Sequence, residues 1–267
     1  MKKFYLKYTQ VPSNPPIEFA EKMARKAKGA DMVFSIGGGS TIDVGKYVSK
    51  KIKAYHTAIP TTAGSGSEAT KFAVFTKNGK KFTMEDEDFI PNRCILNPSL
   101  VVSLPRLHTI ASGLDALSHA IESWWSPNAT QESREYSRQA VLLITASLPG
   151  SVRNPENEYM RLDMLRAANY AGRAINITKT SICHALSYPL TDKLGITHGI
   201  AAASTLPIFM RYFGISEKTV KKIERLLDFL EIKKPKFTDE IIDIALTYER
   251  AKNTPKPITK KVLEKIL

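Results

Sequence analysis

The pattern of apolar residues changes once along the chain, near Pro105, and that change constrains the fold more than any single motif. Before it, strand-like runs alternate with helical spacing. FYLKYTQV (4–11) suits a strand, residues 17–28 place apolar side chains at helical intervals, and DMVFSI (31–36) reads as a short buried strand running into glycines. TIDVGKYVSKKI (41–52) then predicts a helix, AYHTAIP (54–60) another strand, and KFAVFTKNGKKFTM (71–84) a hairpin turning at Asn78-Gly79. Such alternation implies a parallel sheet with helices packed on it. Beyond Pro105, stretches 106–125, 130–148, 157–174, 181–194, 199–212, 217–230 and 238–250 carry helical periodicity, separated by Pro, Gly and Asn. The expected fold is therefore α/β plus all-α, with a partial parallel-sheet domain over residues 1–104 and a helical domain over 105–267.

At 267 residues the chain is long enough for two compact domains, and 43% hydrophobic with 24% charged residues is ordinary globular composition, which excludes disorder and coiled coil. No run approaches the ~18–20 apolar residues of a membrane span, and the start MKKFYLKYTQ leads into no apolar signal core, so a cytoplasmic protein is expected. Cys94 and Cys183 form neither a disulfide framework nor a CxxC pair, which fits a reducing compartment and argues against a thiolate metal site. The net charge of +13 raises the question of an anionic partner. The lysines are scattered in small groups with no nucleic-acid-binding motif, so a solvated basic surface is expected and nucleic acid is not.

Two loops and a set of histidines carry the chemical signal. In SIGGGSTIDVGK (35–46) a strand meets Gly37, Gly38 and Gly39 before a helix opens at Ser40, with Asp43 at capping-box spacing. Glycines let backbone N–H groups approach an anion, and the helix start adds unpaired donors and the positive end of its dipole. The other reading is a tight turn with a good cap and no ligand. A second loop, IPTTAGSGSEAT (59–70), follows the next strand and belongs at the same carboxyl edge of the sheet, where open α/β folds bind ligands. In GLDALSHAIES (113–123), Asp115 and His119 lie four apart on one helical face, and HALSYPLTDKLGITHG adds His184 and His198. One carboxylate and three imidazoles suit Fe²⁺ or Zn²⁺ and exclude Ca²⁺ and Mg²⁺, although each histidine alone also reads as an ordinary core or surface residue. His56 and His108 read as structural.

GGGSTID, IPTTAGSGSE, GLDALSHAIE and HALSYPLTDKLGITHG together resemble, in order, the motifs of the iron-containing (group III) alcohol dehydrogenase family, from about residue 8 to at least residue 213. The resemblance implies a dinucleotide-binding α/β domain, a helical metal-binding domain, and a divalent metal in the cleft between them. It places Asp115, His119, His184 and His198 on the metal, expected to be Fe²⁺ or else Zn²⁺. It places Gly37, Gly38, Gly39, Ser40 and Asp43 on the pyrophosphate loop, Thr61, Thr62, Ser65 and Ser67 on the second loop of an NAD(H) or NADP(H) site, and Lys81 near the cofactor ribose. The implied reaction is hydride transfer between nicotinamide and a carbonyl carbon, with the metal acting as Lewis acid.

This chain departs from the family pattern at three points. Where many members carry a histidine used in proton relay, it has Tyr188, whose hydroxyl can serve instead. NITKTSICH sets Thr178, Lys179 and Thr180 beside the third ligand, a cation and two hydroxyls suited to an anionic aldehyde. With ESWWSPNATQESREYSRQA, that segment resembles the phosphonoacetaldehyde reductase branch, so a small phosphonate- or phosphate-bearing aldehyde is the expected substrate. Laid on the family, the chain also reads as short at the N-terminus by roughly sixty residues, and shorter at the C-terminus. A homo-oligomer is expected. Two other readings stand beside this one: a truncated metal-binding remnant acting as an interaction subunit, and a dehydroquinate-synthase-like lyase.

Overall fold

In the computed structural model, which describes residue 8 and residues 10–267, helix α1 (Ile17–Lys26) buries Ile17, Ala20, Met23 and Ala24 at helical spacing. Of the strand expected over 4–11, residues 4–7 and 9 lie outside the described residues, and those after them form no strand. Strand β1 (Met32–Gly37), helix α2 (Gly39–Ile52) and strand β2 (Tyr55–Pro60) make one crossover unit. The two strands run parallel, from Met32 opposite Tyr55 to Gly37 opposite Pro60. Strands β3 (Phe72–Lys77) and β4 (Lys80–Glu85) pair antiparallel across Asn78 and Gly79, whose φ of 50° and 74° are the left-handed pair a type I′ turn demands. Strand β5 (Arg93–Cys94) then joins the far side of β2, giving the parallel order β1-β2-β5.

One face of this sheet packs on α1, α2 and the hairpin in a core of Met23, Val44, Tyr47, Val48, Phe75 and Phe89. Gly45 lets α2 come close, because a Cβ there would run into Ser35 Oγ and lie 2.8 Å from His56 Nε2. The other face is open: Met32, Phe34 and Ile36 are 52%, 57% and 57% exposed, and Tyr55 is exposed beside them. The expectation of a buried strand over 31–36 is thus corrected. Alternate residues of a strand face opposite sides, and only the side bearing Ser35 is covered.

The second unit is helical throughout: α3 (Arg106–Trp125), α4 (Gln131–Arg153), α5 (Glu158–Thr178), α6 (Ile182–Leu194), α7 (His198–Tyr212), α8 (Glu217–Phe229), α9 (Asp239–Thr247), a 3-10 turn (Glu249–Lys252) and α10 (Lys260–Ile266). Its core runs along α3, where Leu114, Leu117 and Ala120 are fully buried against Ile144, Leu148, Leu165 and Leu206. A reciprocal Thr130–Ser133 capping box starts α4. That helix does not stop at 148 as its Pro-Gly pair predicts. It continues through Pro149 to Arg153, held by the burial of Leu148 and Ser151 and by Met160 of α5 packed directly on Gly150. Among the described residues no helix is long and apolar enough to cross a membrane.

The units meet through the loops at the carboxyl edge of the sheet. Because β1 and β2 end opposite each other, their loops leave side by side, joined by the Thr61 N–H donating to the Gly37 carbonyl at 2.9 Å. The second loop then lies on α5. Gly66 has φ +59° and sits where a Cβ would meet Gly172 Cα at 2.6 Å, so backbone rests on backbone. Beyond the loop, Lys71 N–H donates to Asn176 Oδ1 at 2.8 Å.

Candidate metal centre and phosphate loop

Three helices converge on one carboxylate. Asp115 Oδ1, from the middle of α3, lies 3.4 Å from His184 Nε2 of α6, 3.8 Å from His198 Nε2 at the start of α7, and 3.9 Å from His119 Nε2 one turn along α3. The His119 and His184 rings stack 4.5 Å apart. Asp115, His184 and His198 each offer a ligand atom within 4.8 Å of the others. Gly199 makes this approach possible, since a Cβ there would strike the Ala111 carbonyl and meet Asp115 Cβ at 2.8 Å.

The protons of two imidazoles are fixed by their outer nitrogens. Glu122, wholly buried on α3, takes the His184 Nδ1–H on Oε2, while its Oε1 accepts the Cys183 N–H at 2.6 Å and the His184 N–H at 3.2 Å. An ionised carboxylate only accepts, so Nδ1 carries a proton, and Nε2, turned to Asp115, is the nitrogen that would give up its proton to become a ligand. Glu122 also caps α6, whose N-cap Ser181 makes no side-chain capping bond. On α6, Ser187 donates its hydroxyl proton to the His184 carbonyl at 2.8 Å and so accepts from His198 Nδ1 at 3.1 Å, which sets the same tautomer there. Sequence reasoning missed both residues. Glu122 stood in plain view, seven residues after Asp115 on the same face of α3.

Electrostatics leaves this cluster short of a cation. Burial pushes the Asp115 carboxyl up, but the surrounding imidazoles, His119 foremost, outweigh it and hold the group well below the usual range. Burial pulls His119 and His198 down to about 4 despite Asp115, so both are neutral at pH 7. His184 is pulled down by burial too, yet Glu122 and Asp115 raise it to about 9. Asp115 Oδ1 and His184 Nε2 are buried without a hydrogen-bond partner. Such atoms cost about 1–3 kcal/mol each unless something binds them. A divalent ion with bonds of about 2.0–2.2 Å fits the gap and the Asp-plus-imidazole donor set.

At the glycine loop, α2 starts at Gly39 with Gly38 as N-cap and no side-chain cap. The expected capping roles of Ser40 and Asp43 are thereby corrected. Ser40 Oγ accepts from Asn14 N–H at 3.2 Å, and Asp43 turns inward. There Asp43 takes the Ser67 hydroxyl at 2.5 Å and the Val74 N–H at 2.9 Å. Buried Lys46 lies 3.7 Å from Asp43 and donates to Thr70 Oγ1 and the Phe72 carbonyl at 3.0 and 2.7 Å. Thr62 and Ser65 face the glycines instead: a Cβ on Gly38 would meet Thr62 at 3.4 Å, and one on Gly39 would meet Ser65 Oγ at 2.8 Å. The result is a glycine cradle with two hydroxyls beside it over an uncapped helix start, which fits a pyrophosphate. Gly37, Gly38, Gly39, Thr61, Thr62 and Ser65 line or adjoin it, whereas Asp43 and Ser67 support it from beneath.

Tyr188 lies beside the metal cluster, its ring 5.4 Å from that of His198. Burial raises its hydroxyl pKa in spite of nearby Arg250. Lys81 reaches the same ring, its ammonium 5.7 Å from the centroid. Lys179 closes α5 with φ 63° and sends its ammonium to Glu85 at 2.7 Å. His56 is buried against Ser35 at 2.9 Å, and His108 is exposed on α3.

One carboxylate and three imidazoles on a helical unit, beside a glycine-loop sheet edge, define a class that comparison with known proteins names. The profile for iron-containing alcohol dehydrogenases matches residues 2–98, and that for the C-terminal part of the Fe-containing alcohol dehydrogenase family matches residues 109–253. The chain belongs to the iron-containing alcohol dehydrogenase family. It is 32% identical over 248 residues to long-chain-alcohol dehydrogenase 1 of Geobacillus thermodenitrificans, covering 84% of this chain and 62% of that one. It is 32% identical over 228 residues to phosphonoacetaldehyde reductase of Streptomyces viridochromogenes, covering 75% and 58%. The chain thus spans about three-fifths of the length of these relatives. Sulfoacetaldehyde reductase from Bifidobacterium kashiwanohense, solved in complex with NAD⁺, superposes with a TM-score of 0.89 at 28% identity, covering 96% of this chain and 81% of that one.

Proposed function

We propose that the protein is a metal-dependent, NAD(P)(H)-linked oxidoreductase that interconverts a small anionic aldehyde and its alcohol. The convergence of Asp115, His184 and His198 with unpartnered buried ligand atoms carries this reading. The relatives named phosphonoacetaldehyde reductase and sulfoacetaldehyde reductase support the anionic substrate. Asp115, His119, His184 and His198 would hold the ion, which when bound supplies Lewis acidity at the carbonyl oxygen. The cradle of Gly37, Gly38 and Gly39 with Thr62 and Ser65 would take the cofactor pyrophosphate. A bound NAD(P)H would supply the hydride for reduction, and the Tyr188 hydroxyl, kept protonated by burial, is the nearby donor of the proton that the oxygen needs. On this reading residues 1–104 form the dinucleotide half and 105–267 the metal half.

The test is calorimetric titration of NADH and NADPH into Fe²⁺- or Zn²⁺-loaded protein, followed by cofactor oxidation with phosphonoacetaldehyde. Micromolar binding and turnover, with turnover lost in Asp115→Ala, is the expected result. Folded, metal-loaded protein that binds neither cofactor at millimolar concentration overturns the reading.

A further inference from the structure

We infer that Arg250 and Thr180, with Lys81 adding positive charge, form the subsite that holds the charged end of the substrate, a tetrahedral oxyanion such as a phosphonate or sulfonate. The inference rests on the aldehyde-reductase reading and assigns its specificity. The Arg250 guanidinium carbon lies 4.9 Å from the centroid of the Tyr188 ring, which also has Tyr248 at 5.0 Å, His198 at 5.4 Å and the Lys81 ammonium at 5.7 Å. Arg250 and His198 therefore touch the same ring, so the cation lies no more than about 10 Å from that imidazole, within reach of an aldehyde joined to its anion by a short carbon spacer.

Charge balance sets this corner apart. Lys179, the cation that the sequence suggests for the anion, is engaged by Glu85, and Lys71 is shared between Glu85 at 3.3 Å and Glu87 at 3.0 Å. Among the described residues Arg250 and Lys81 form no ion pair. The only hydrogen bond of the half-buried Arg250 side chain there goes to Thr180 Oγ1, at 3.1 Å from Nη1. That bond spends one of five guanidinium N–H groups and leaves the fork available. The Thr180 hydroxyl, accepting from Arg250, keeps its own proton to donate. Two guanidinium N–H groups and one hydroxyl make three donors for the three oxygens of a phosphonate or sulfonate, and a planar carboxylate would use only two. The cation–π contact with Tyr188 and the bond to Thr180 hold the guanidinium in this corner.

The test compares kcat/KM for phosphonoacetaldehyde and sulfoacetaldehyde with that for uncharged propanal, in wild type, Arg250→Gln, Arg250→Lys and Thr180→Val. A parallel calorimetric titration uses the unreactive analogue phosphonoacetate. In Arg250→Gln the anionic-to-uncharged ratio should fall about 10- to 100-fold, the value of hydrogen bonds to a charged group. Arg250→Lys should recover only part, since it restores charge without the fork. A fall with one anion alone fixes which oxyanion the site serves. A ratio that stays at the wild-type value in a variant turning over both aldehydes overturns the inference and leaves the reductase standing. If no aldehyde is reduced by the wild type, the functional reading fails instead, and the titration decides the subsite: phosphonoacetate binding weakened by Arg250→Gln upholds it, while unaltered or absent binding overturns it.

Discussion

Two buried polar clusters lie at the carboxyl edge of the sheet, and they differ in whether their hydrogen bonds close. Beneath the glycine loop, Asp43, Lys46, Ser67, Glu68 and Asn169 close their hydrogen bonds: Asp43 accepts from Ser67 and Val74, Lys46 donates to Thr70 and Phe72, and Glu68 accepts from Asn169 at 3.3 Å. Burial pulls Lys46 down to about 8 against the pull of Asp43 and Glu68, and pushes both carboxyls up. At the helical centre, Asp115 Oδ1 and His184 Nε2 are equally buried and have no partner. Burial alone therefore does not mark a binding residue. The unclosed cluster has ligand atoms that could hold an ion, and the closed one braces the loop.

The strongest way to break this comparison is to open the brace. Lys46→Met strips buried Asp43 and Glu68 of their cation and should destabilise the fold by about 3–5 kcal/mol in urea unfolding. A loss below 1 kcal/mol would show that the cluster braces nothing. Next is acid sensitivity. Burial, then Lys46, holds His56 down at about 4, so between pH 6.5 and 4 the unfolded chain takes up a proton there that the folded chain refuses. Stability should fall across that window by about 3 kcal/mol through this group. His56→Asn should remove that part of the slope in unfolding free energy against pH, and a slope identical to wild type would refute the assignment.

At the open cluster the effects are read on metal. In Glu122→Gln, the amide oxygen takes the Cys183 and His184 backbone N–H groups, and the amide nitrogen then donates to Nδ1, driving the imidazole proton onto Nε2. Zinc affinity measured by chelator competition should fall about 10- to 100-fold, and Glu122→Asp should lose less. The smallest effect belongs to Ser187→Ala, which frees the His198 Nδ1–H and should weaken zinc about threefold to tenfold. Equal losses in the two variants would erase the distinction between the carboxylate behind His184 and the hydroxyl behind His198.

Much of this architecture is legible in the residues because it rests on local rules. Helices at 17–26, 39–52 and along most of 106–247 follow apolar spacing, and the Asn78-Gly79 hairpin follows turn chemistry. The i,i+4 pairing of Asp115 and His119 is likewise a property of one helix. What stays hidden depends on partners distant in sequence. Asp43 looks like a cap until Ser67 and Val74 claim it, and Lys179 looks free until Glu85 arrives from β4. Glu122 is one acid among 26 until α6 docks on it. Arg250 ends the stretch 238–250 that apolar spacing reads as helix, and nothing in that spacing says that the 3-10 turn Glu249–Lys252 carries it to Thr180. The exposure of Met32, Phe34 and Ile36 is equally unreadable, since an apolar run states affinity for cover and not its presence.

The contact of Gly66 with Gly172 bears on how the cleft breathes. With backbone against backbone there is no side chain to swing aside, so the segment from Thr61 to Thr70 does not act as an independent flap. Anything that widens the mouth must carry α5 along, which makes entry and exit a matter of two bodies hinging. Cofactor exchange should then follow slow collective movement on the microsecond-to-millisecond scale in preference to nanosecond loop flicker.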